Sequence, residues 1–323
     1  MKKILFSAAA LAFIAAGLSL PAFSAGKDGD KVIYGADDRL DIYQVTDAKL
    51  LKLADSTVGL FQGSDVTING DKAVLTTDSY SQSYGLCKEE PFYEQVTGAF
   101  CSGSLVAPDI IMTAGHCVKT EDACKSTKFV FGFAVTTKGV MPDTLPAGEV
   151  YGCSQLIGRE QVGTGADWAL IRLDRKVTNH AALKYNAKDT VKNGDPLVVI
   201  GHPAGLPTKI AGGSTVRDAS TKGYFVANLD TYGGNSGSAV FSAKTGVIEG
   251  ILVRGENDYV YQNGCRVSNV CPSDGCRGED VTKLSSITSP FSKTDTEVPA
   301  EEVRVAKASP AFELLNTLAP EAN

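Results

Sequence analysis

The strongest constraint on the fold is a series of short apolar runs, rich in β-branched and aromatic residues, between Thr57 and Ile287. Residues typical of turns separate these runs, which read FVFGFAV, WALIRL, PLVVIGHP, GYFVANL, GSAVF and GVIEGILV. Many short strands with few helical periods are typical of an all-β barrel or sandwich. A polar stretch at residues 175–194 divides the runs into two groups, each of the size of a small barrel. The sequence therefore predicts two β domains with a cleft between them.

Three other segments depart from the strand pattern. Residues 47–55, DAKLLKLAD, have the spacing of a helix. Residues 288–307 are rich in Ser, Thr, Glu and Pro and have the composition of a mobile tail. Ser309 and Pro310 precede AFELLNTL, where the serine can cap a helix and the proline suits its first turn. We therefore expect a polar C-terminal tail, residues 288–323, with a short helix.

The N-terminus has the pattern of a secretory signal peptide. Two lysines precede an apolar run at residues 4–20, and Ala-Phe-Ser at residues 22–24 then supplies small residues two positions apart. An uncleaved membrane anchor is the alternative, but about 17 residues rich in alanine are marginal for a hydrocarbon core of about 30 Å. We expect a signal peptide at residues 1–24, a candidate propeptide at 25–31 and a secreted or periplasmic protein without a stable membrane anchor.

The charge balance argues against nucleic acid as a partner. The chain of 323 residues has 37 acidic and 31 basic residues, a net charge of −6 and no long basic run to neutralise phosphates. Its 43% hydrophobic and 21% charged residues are ordinary for a globular protein.

Eight cysteines lie in the part of the chain after the signal peptide. In an exported protein, an even number of cysteines predicts disulfides. Zinc is the rival interpretation, but the sequence has no C-x-x-C pair and its three histidines, His116, His180 and His202, are widely spaced. We expect neither a metal nor another cofactor.

The stretch DTYGGNSGSAV, residues 230–240, is either a flexible turn or a loop that holds Ser236 for attack. A serine nucleophile needs a base, and the base needs a group that orients it. His116 follows an apolar run in IIMTAGHCV, although a structural role is the alternative. Asp167 begins the apolar DWALIRL, where it could instead bound the strand. For GHPAGLP, around His202, the sequence predicts a strand-ending turn.

Taken together, these motifs resemble those of chymotrypsin-like serine peptidases. CSGSLVAPDIIMTAGHC is similar to the segment around the catalytic histidine of that family, DWALIRL to the strand with its aspartate, and GGNSGS to its nucleophile loop. The order His116, Asp167, Ser236, with gaps of 51 and 69 residues, also matches. The resemblance covers about residues 32–287. It implies two antiparallel six-stranded β-barrels, the first at about 57–175 and the second at about 190–287.

The resemblance also implies roles for the matching residues. Ser236 would attack a peptide carbonyl, His116 would transfer its proton, and Asp167 would orient the imidazole. Backbone N–H groups of Gly234 and Ser236 would bind the oxyanion. The family further implies a disulfide between Cys101 and Cys117, and the other six cysteines then allow 15 connectivities. We expect a monomeric, secreted serine endopeptidase that acts on protein or peptide substrates.

Asn235 indicates which branch of the family the sequence resembles. Digestive trypsins have an aspartate before the nucleophile, which captures the new N-terminus, whereas GNSG is similar to bacterial glutamyl endopeptidases. VIYGADDR, residues 32–39, also resembles the mature start of those enzymes, which implies a zymogen cleaved between Lys31 and Val32. Glutamyl enzymes have a histidine for the substrate carboxylate where this chain has Leu252. Glutamate specificity therefore does not follow from the branch.

Asp230 is the candidate specificity residue. It stands six residues before Ser236, where trypsins have the aspartate at the base of the pocket, and the resemblance implies cleavage after Arg or Lys. Thr231 would line this pocket, and Gly255 matches a glycine that keeps its mouth open. Alternatively, Asp230 caps a turn, or Arg254 neutralises it. A glutamyl endopeptidase and a non-catalytic homologue that binds proteins through the same cleft are the rival functions.

Overall fold

The computed structural model describes residues 32–287, so the predicted signal peptide, propeptide, C-terminal tail and C-terminal helix lie outside the described residues. The helices are α1 (Ala48–Ala54), α2 (Tyr80–Tyr84) and α3 (Glu121–Ser126). Short 3₁₀ turns occur at Ile42–Gln44, Gly63–Asp65, Ala147–Glu149, Pro203–Gly205 and Leu284–Ser286. The strands are β1 (Ile33–Tyr34), β2 (Arg39–Asp41), β3 (Thr57–Gln62), β4 (Val66–Asn69), β5 (Lys72–Leu75), β6 (Asp78–Ser79), β7 (Val96–Thr97), β8 (Cys101–Ala107), β9 (Ile110–Thr113), β10 (Thr127–Phe131), β11 (Thr144–Pro146), β12 (Val150–Gln161), β13 (Asp167–Leu173), β14 (Pro196–Gly201), β15 (Lys209–Asp218), β16 (Tyr224–Ala227), β17 (Ala239–Ser242), β18 (Ile248–Arg254), β19 (Tyr259–Gln262), β20 (Cys265–Ser268), β21 (Val270–Cys271) and β22 (Glu279–Lys283).

Twelve of these strands form two closed antiparallel barrels. The first has the order β10-β12-β13-β9-β8-β3 and closes through pairing of β3 with β10. The second has the order β14-β17-β18-β22-β16-β15 and closes through pairing of β15 with β14. The predicted all-β fold with two six-stranded barrels is confirmed, and the polar stretch at residues 175–194 connects the barrels.

The barrels pack together because their strands are buried on both faces. On β13, Ala169 and Ile171 point into the interior of the first barrel, whereas Trp168 and Leu170 join a cluster shared with the second. On β14, Val198 and Ile200 enter that shared cluster, and the alternate residues of the strand face the interior of the second barrel. Side chains alternate between the two faces of a strand, so an unbroken apolar run can serve both cores. The apolar runs in the sequence therefore reflect burial between the barrels as well as within them.

The segment before the first barrel packs onto the second. β1 pairs in parallel with β21, and β2 adds to β15 as an outer strand. The predicted helix at residues 47–55 is present as α1, with the Asp47 carboxylate accepting from the N–H of Lys49 at 2.7 Å. Residues 32–34 are almost fully buried, so this segment packs tightly against the rest of the protein.

All eight cysteines lie in the described residues and are paired. The disulfides are Cys87–Cys265, Cys101–Cys117, Cys124–Cys153 and Cys271–Cys276. Four disulfides in one chain are typical of proteins that fold in an oxidising compartment. Across residues 32–287, no helix has the length and apolar character needed to cross a membrane.

Glu249, on β18, gives the fold a predicted pH dependence. It is 8% exposed, Asn186 Nδ2 donates to it at 2.9 Å, and burial raises its pKa to about 7. This pKa is higher in the folded than in the unfolded chain, so the protonated Glu249 carboxyl stabilises the folded state. Its contribution to the free energy of unfolding is complete below about pH 4.5 and is lost as pH rises through 7. Relative to Glu249→Gln, the wild type should lose on the order of 2 kcal/mol of unfolding free energy between pH 5 and 8. Urea denaturation at both pH values measures this, with exposed Glu94→Gln as the control; equal changes in wild type and Glu249→Gln would contradict it.

Candidate active site

His116 and Asp167 form a hydrogen-bonded pair at one end of the first barrel. Nδ1 of His116 lies 2.7 Å from Oδ2 of Asp167, and the backbone N–H of His116 donates to Oδ1 at 3.0 Å. The Asp167 side chain is 2% exposed and the imidazole is 16% exposed. A carboxylate facing Nδ1 favours the tautomer with the proton on that nitrogen, so Nε2 is left able to accept a proton.

The turn before His116 requires glycine at position 115. A Cβ on Gly115 would lie 2.2 Å from the carbonyl oxygen of Glu160 and 2.8 Å from that of Trp168. Both carbonyls belong to the paired strands β12 and β13, which cannot easily move apart. A side chain here would therefore push His116 away from Asp167.

The second barrel holds Asp167 in place through Thr282, a fully buried residue of β22. The N–H of Asp167 donates to Oγ1 of Thr282 at 3.1 Å, and the same hydroxyl donates to the carbonyl oxygen of Asp167 at 3.0 Å. The carboxylate that orients His116 is thus fixed by both barrels.

The Ser236 loop, between β16 and β17, is also anchored in both barrels. The N–H of Ser102 donates to the carbonyl oxygen of Ser236 at 2.8 Å, and the N–H of Gly237 donates to that of Leu252 at 2.8 Å. The Ser102 hydroxyl donates to the carbonyl oxygen of Gly234 at 2.8 Å. Ser236 itself is 2% exposed. The stretch that looked like a flexible turn is a tightly constrained loop.

The Cys101–Cys117 disulfide lies between His116 and the Ser236 loop. Sγ of Cys117 is 3.6 Å from the carbonyl oxygen of Ser236, and an imidazole nitrogen of His116 is within 4.8 Å of both sulfurs. The structure therefore brings His116, Asp167 and Ser236 together where the two barrels meet. The imidazole and the sulfurs do not make a zinc site, because sulfurs bonded to each other offer no thiolate.

Gly234 occupies a position that other residues would disrupt. Its φ is +83°, and a Cβ would lie 2.6 Å from the nitrogen of Gly205 and 2.7 Å from the carbonyl oxygen of His202. Within residues 32–287, the N–H of Gly234 donates no hydrogen bond. A backbone N–H in this state, two residues before Ser236, can bind an oxygen that carries developing negative charge.

Comparison with known proteins supports the resemblance seen in the motifs. Residues 101–251, which include His116, Asp167 and Ser236, match the family described as trypsin-like peptidase domain. These residues are thus similar to a trypsin-like peptidase domain. Curated relatives include human chymotrypsin-like elastase family member 3B, 28% identical over 43% of this chain and 50% of its own, and bovine proproteinase E, 30% identical over 35% and 42%. Glutamyl endopeptidase of Bacillus licheniformis is 27% identical over 44% of this chain and 45% of its own.

Among these curated relatives, the matched region spans about half of each protein's length. Similar solved structures include a Glu endopeptidase, with a TM-score of 0.45 and 18% identity, covering 79% of this chain and 94% of that one. Another is the Vibrio cholerae VesB protease, with a TM-score of 0.43 and 13% identity, covering 79% and 65%.

Asp230 faces the N-terminal segment. Its Oδ1 accepts the N–H of Tyr34 at 2.7 Å, and its Oδ2 accepts the N–H of Asp38 at 2.8 Å. It is 2% exposed, and burial raises its pKa to about 8. Arg254, weighed above as its neutralising partner, instead pairs with Asp280 at 3.0 Å. This geometry corresponds to the alternative in which Asp230 caps backbone N–H groups.

Thr231 and Gly255, the other two predicted pocket residues, both adjoin Glu279. The Thr231 hydroxyl donates to Oε2 of Glu279 at 3.1 Å, and a Cβ on Gly255 would lie 1.9 Å from the same oxygen. Tyr34 OH donates to Oε1 at 3.4 Å. Glu279 is completely buried. The structure thus places a second acid, which the motifs did not indicate, beside the predicted pocket residues.

A turn at residues 202–206 supports the Gly234 loop from behind. His202 is completely buried, its Nδ1 lies 3.0 Å from the carbonyl oxygen of Leu206, and burial lowers its pKa to about 4. The N–H of Ala204 donates to the carbonyl oxygen of Gly233 at 2.5 Å. His202 is therefore a neutral structural residue, and the predicted turn there packs against the loop that precedes Ser236.

Sequence reasoning missed Ser102, Thr282 and Glu279. Ser102 lies within the CSGS motif, where its proximity to Cys101 was a usable signal. Thr282 and Glu279 stand in a strand with no recognised motif, and they act on residues 115 and 48 positions away. Only the pairing of strands brings such residues to the site.

Gly234→Ala tests the need for a close backbone approach. The Cβ would collide with the 202–206 turn and displace the Gly234 N–H, and losing one such donor typically lowers kcat by about 10²–10³. Gly194→Ala is a matched control, because Gly194 has the same φ of +83° but nothing within 4 Å of its Cβ. Steady-state kinetics measures the loss of kcat, and thermal melting measures any loss of stability, so the two effects are separated. Equal losses of kcat in both variants would contradict the assignment.

Proposed function

We propose that this protein is a secreted serine endopeptidase that acts through Ser236, His116 and Asp167. One observation carries the proposal: Asp167 binds both the ring Nδ1 and the backbone N–H of His116, beside the loop that presents Ser236. A serine nucleophile needs a base that removes its hydroxyl proton. A histidine that Asp167 holds in one tautomer can act as that base.

The proposed reaction proceeds through an acyl-enzyme. Oγ of Ser236 attacks the peptide carbonyl carbon while Nε2 of His116 takes the hydroxyl proton. The tetrahedral oxyanion is bound by the N–H groups of Gly234 and Ser236, and Asp167 stabilises the imidazolium. His116 then donates the proton to the leaving amine as the C–N bond breaks. Water, activated by the same imidazole, hydrolyses the ester and restores Ser236.

We propose that cleavage occurs after Arg or Lys. Two buried acids, Asp230 and Glu279, contact or neighbour the predicted pocket residues, and a carboxylate there would bind a cationic side chain. At the position where glutamyl enzymes have a histidine, Leu252 is completely buried in the core of the second barrel. It offers no positive charge to a substrate carboxylate. A glutamyl endopeptidase is the second candidate, because such an enzyme is among the curated relatives.

The four disulfides and the relatives support a protein that works outside the cytoplasm, secreted or periplasmic. We propose that it acts as a monomer on protein or peptide substrates, uses no cofactor and becomes active after cleavage between Lys31 and Val32. Val32 and Ile33 are buried and β1 pairs with β21, which supports a mature chain whose first residues pack onto the rest of the domain.

A panel of peptides that differ only in the residue before the cut tests this specificity. Arg and Lys peptides should give kcat/KM values at least about 10² above those of Glu and Leu peptides, as expected for a pocket that pairs a charge. Preferential cleavage after Glu would support the second candidate. The absence of cleavage in the processed protein would favour a non-catalytic homologue.

A further inference from the structure

We propose that Thr97 is a positioning residue for the reaction: it holds the turn at Ala204 in the conformation that aims the Gly234 N–H at the oxyanion. This inference rests on the proposed function and adds to it a residue of β7, the short strand that precedes β8 of the first barrel. Thr97 acts through the backbone of the 202–206 turn, so its effect on the reaction is indirect.

The direction of the Gly234 N–H is set by the carbonyl of Gly233, because both belong to one peptide group. Among the described residues no peptide bond is cis, and in a trans peptide the C=O and the N–H point in opposite directions. The N–H of Ala204 donates to the Gly233 carbonyl oxygen at 2.5 Å. This carbonyl therefore points into the 202–206 turn, and the Gly234 N–H points away from it.

The next peptide group is linked to the same turn through Ser102. The Ser102 hydroxyl donates to the carbonyl oxygen of Gly234 at 2.8 Å and accepts the N–H of His202 at 2.9 Å. Both peptide groups that flank the Gly234 Cα are thus hydrogen-bonded to the turn, one directly and one through Ser102. A change in the conformation of the turn would therefore rotate the proposed oxyanion donor.

The turn is strained at Ala204. This residue is buried and has a φ of +52°, a left-handed conformation that side chains with a Cβ disfavour. Such a conformation persists only where the surrounding structure holds it. Two hydroxyl groups do so by donating to the Ala204 carbonyl oxygen, that of Thr97 at 2.5 Å and that of Tyr84 at 3.2 Å.

Thr97 is the better supported of the two hydroxyl donors. The next two residues of its strand, Gly98 and Ala99, donate their N–H groups to the Gly205 carbonyl oxygen at 3.0 and 3.3 Å. A Cβ on Gly205 would lie 2.6 Å from Oγ1 of Thr97, so the strand and the turn are in close contact. Tyr84 reaches the same carbonyl over a longer distance from the end of α2. Thr97 is therefore the residue whose loss should release the strained turn.

Thr97→Val tests the inference, because valine keeps the shape of the side chain and removes the hydroxyl. On the best peptide of the panel, kcat should fall about 10-fold, less than for the outright loss of an oxyanion donor. KM should change little, since the donor acts mainly in the transition state. Thr97→Ser keeps the hydroxyl and should keep most of the wild-type kcat.

Thr127→Val is the matched control. The Thr127 hydroxyl also donates to a backbone carbonyl oxygen, that of Ala123 at 2.8 Å, and β10 makes no pairing with the 202–206 turn. This variant should keep wild-type kcat. Wild-type kcat in Thr97→Val, or equal losses in the two valine variants, would overturn the inference.

Ala204→Gly provides a rescue, because glycine adopts a φ of +52° without the strain of alanine. Added to Thr97→Val, it should restore most of the lost kcat, and a double variant no faster than Thr97→Val would overturn the inference. If Thr97→Val does not fold, Thr97→Ala replaces it with the same expected loss and the same rescue.

A peptidyl trifluoromethyl ketone distinguishes failure of this inference from failure of the proposed function. Oγ of Ser236 bonds to the ketone carbon, the carbonyl π electrons move to the oxygen, and the serine proton passes to His116. ¹⁹F NMR follows the ionisation of this hemiketal oxygen with pH. Donors at the oxyanion lower its pKa, so the pKa should be about 1 higher in Thr97→Val than in the wild type, which corresponds to a 10-fold loss.

The outcomes of this titration separate the two proposals. Thr127→Val should give the wild-type pKa. A lower melting temperature in Thr97→Val with an unchanged hemiketal pKa would mean that Thr97 only stabilises the fold, and would overturn the inference alone. Failure of the wild-type processed protein to form the hemiketal would overturn the proposed function and the inference together.

Discussion

Ser236→Ala is expected to lower kcat by about 10⁶, because without the hydroxyl no acyl-enzyme can form. His116→Ala should cost about as much, and the double variant should lose little more, since the two residues act as one unit. Steady-state hydrolysis of the best peptide of the panel, with thermal melting of each variant, measures this. Ser242→Ala, on the strand that follows the loop, is the control and should keep wild-type kcat.

The double variant is the most informative of these proteins. A loss near the product of the two single losses would mean that Ser236 and His116 contribute independently, which contradicts the mechanism. Because cleavage after Lys31 fits the proposed preference for Arg or Lys, we also propose that the protein removes residues 25–31 itself. Ser236→Ala, expressed without other proteases, should then keep residues 25–31, and an N-terminus at Val32 in that variant would rule out self-cleavage.

Asp167→Asn is expected to lower kcat by about 10⁴ while the barrels remain folded. The asparagine can still accept the backbone N–H of His116, but its amide offers a donor to Nδ1 and so favours the wrong tautomer. Asp174→Asn is the matched control, because Asp174 also accepts a backbone N–H, from Gly152 at 2.9 Å, near the other end of β13. Steady-state kinetics measures kcat, and circular dichroism checks that each variant is folded. Wild-type kcat in both variants would contradict this role of Asp167.

The architecture was accessible from the sequence because local patterns and the global fold agree. Apolar runs such as DWALIRL, bounded by turn residues, form strands that serve two cores at once. The helix after Asp47 was recognisable from its spacing. α3 was missed, although Thr120 caps it and Glu121 and Asp122 occupy its first turn, because a helix of six residues has too few periods to stand out.

The chemistry of the site was accessible only in part. His116, Asp167 and Ser236 lie in motifs whose order matches a family, and the structure brings them together. The environment of Asp230 was not accessible, because the segment that covers it lies 192 or more residues earlier. A motif shows which acid stands before a nucleophile, whereas the pairing of distant segments decides what that acid contacts.

The central claim, that Ser236 is a nucleophile activated by His116, is tested most directly by covalent labelling. An alkyl fluorophosphonate added to the processed protein should attach one phosphonyl group per chain, which intact mass spectrometry detects and peptide mapping locates on Ser236. The adduct should be absent in Ser236→Ala and form far more slowly in His116→Ala. No adduct on the folded, processed protein, or an adduct on another residue, would contradict the account.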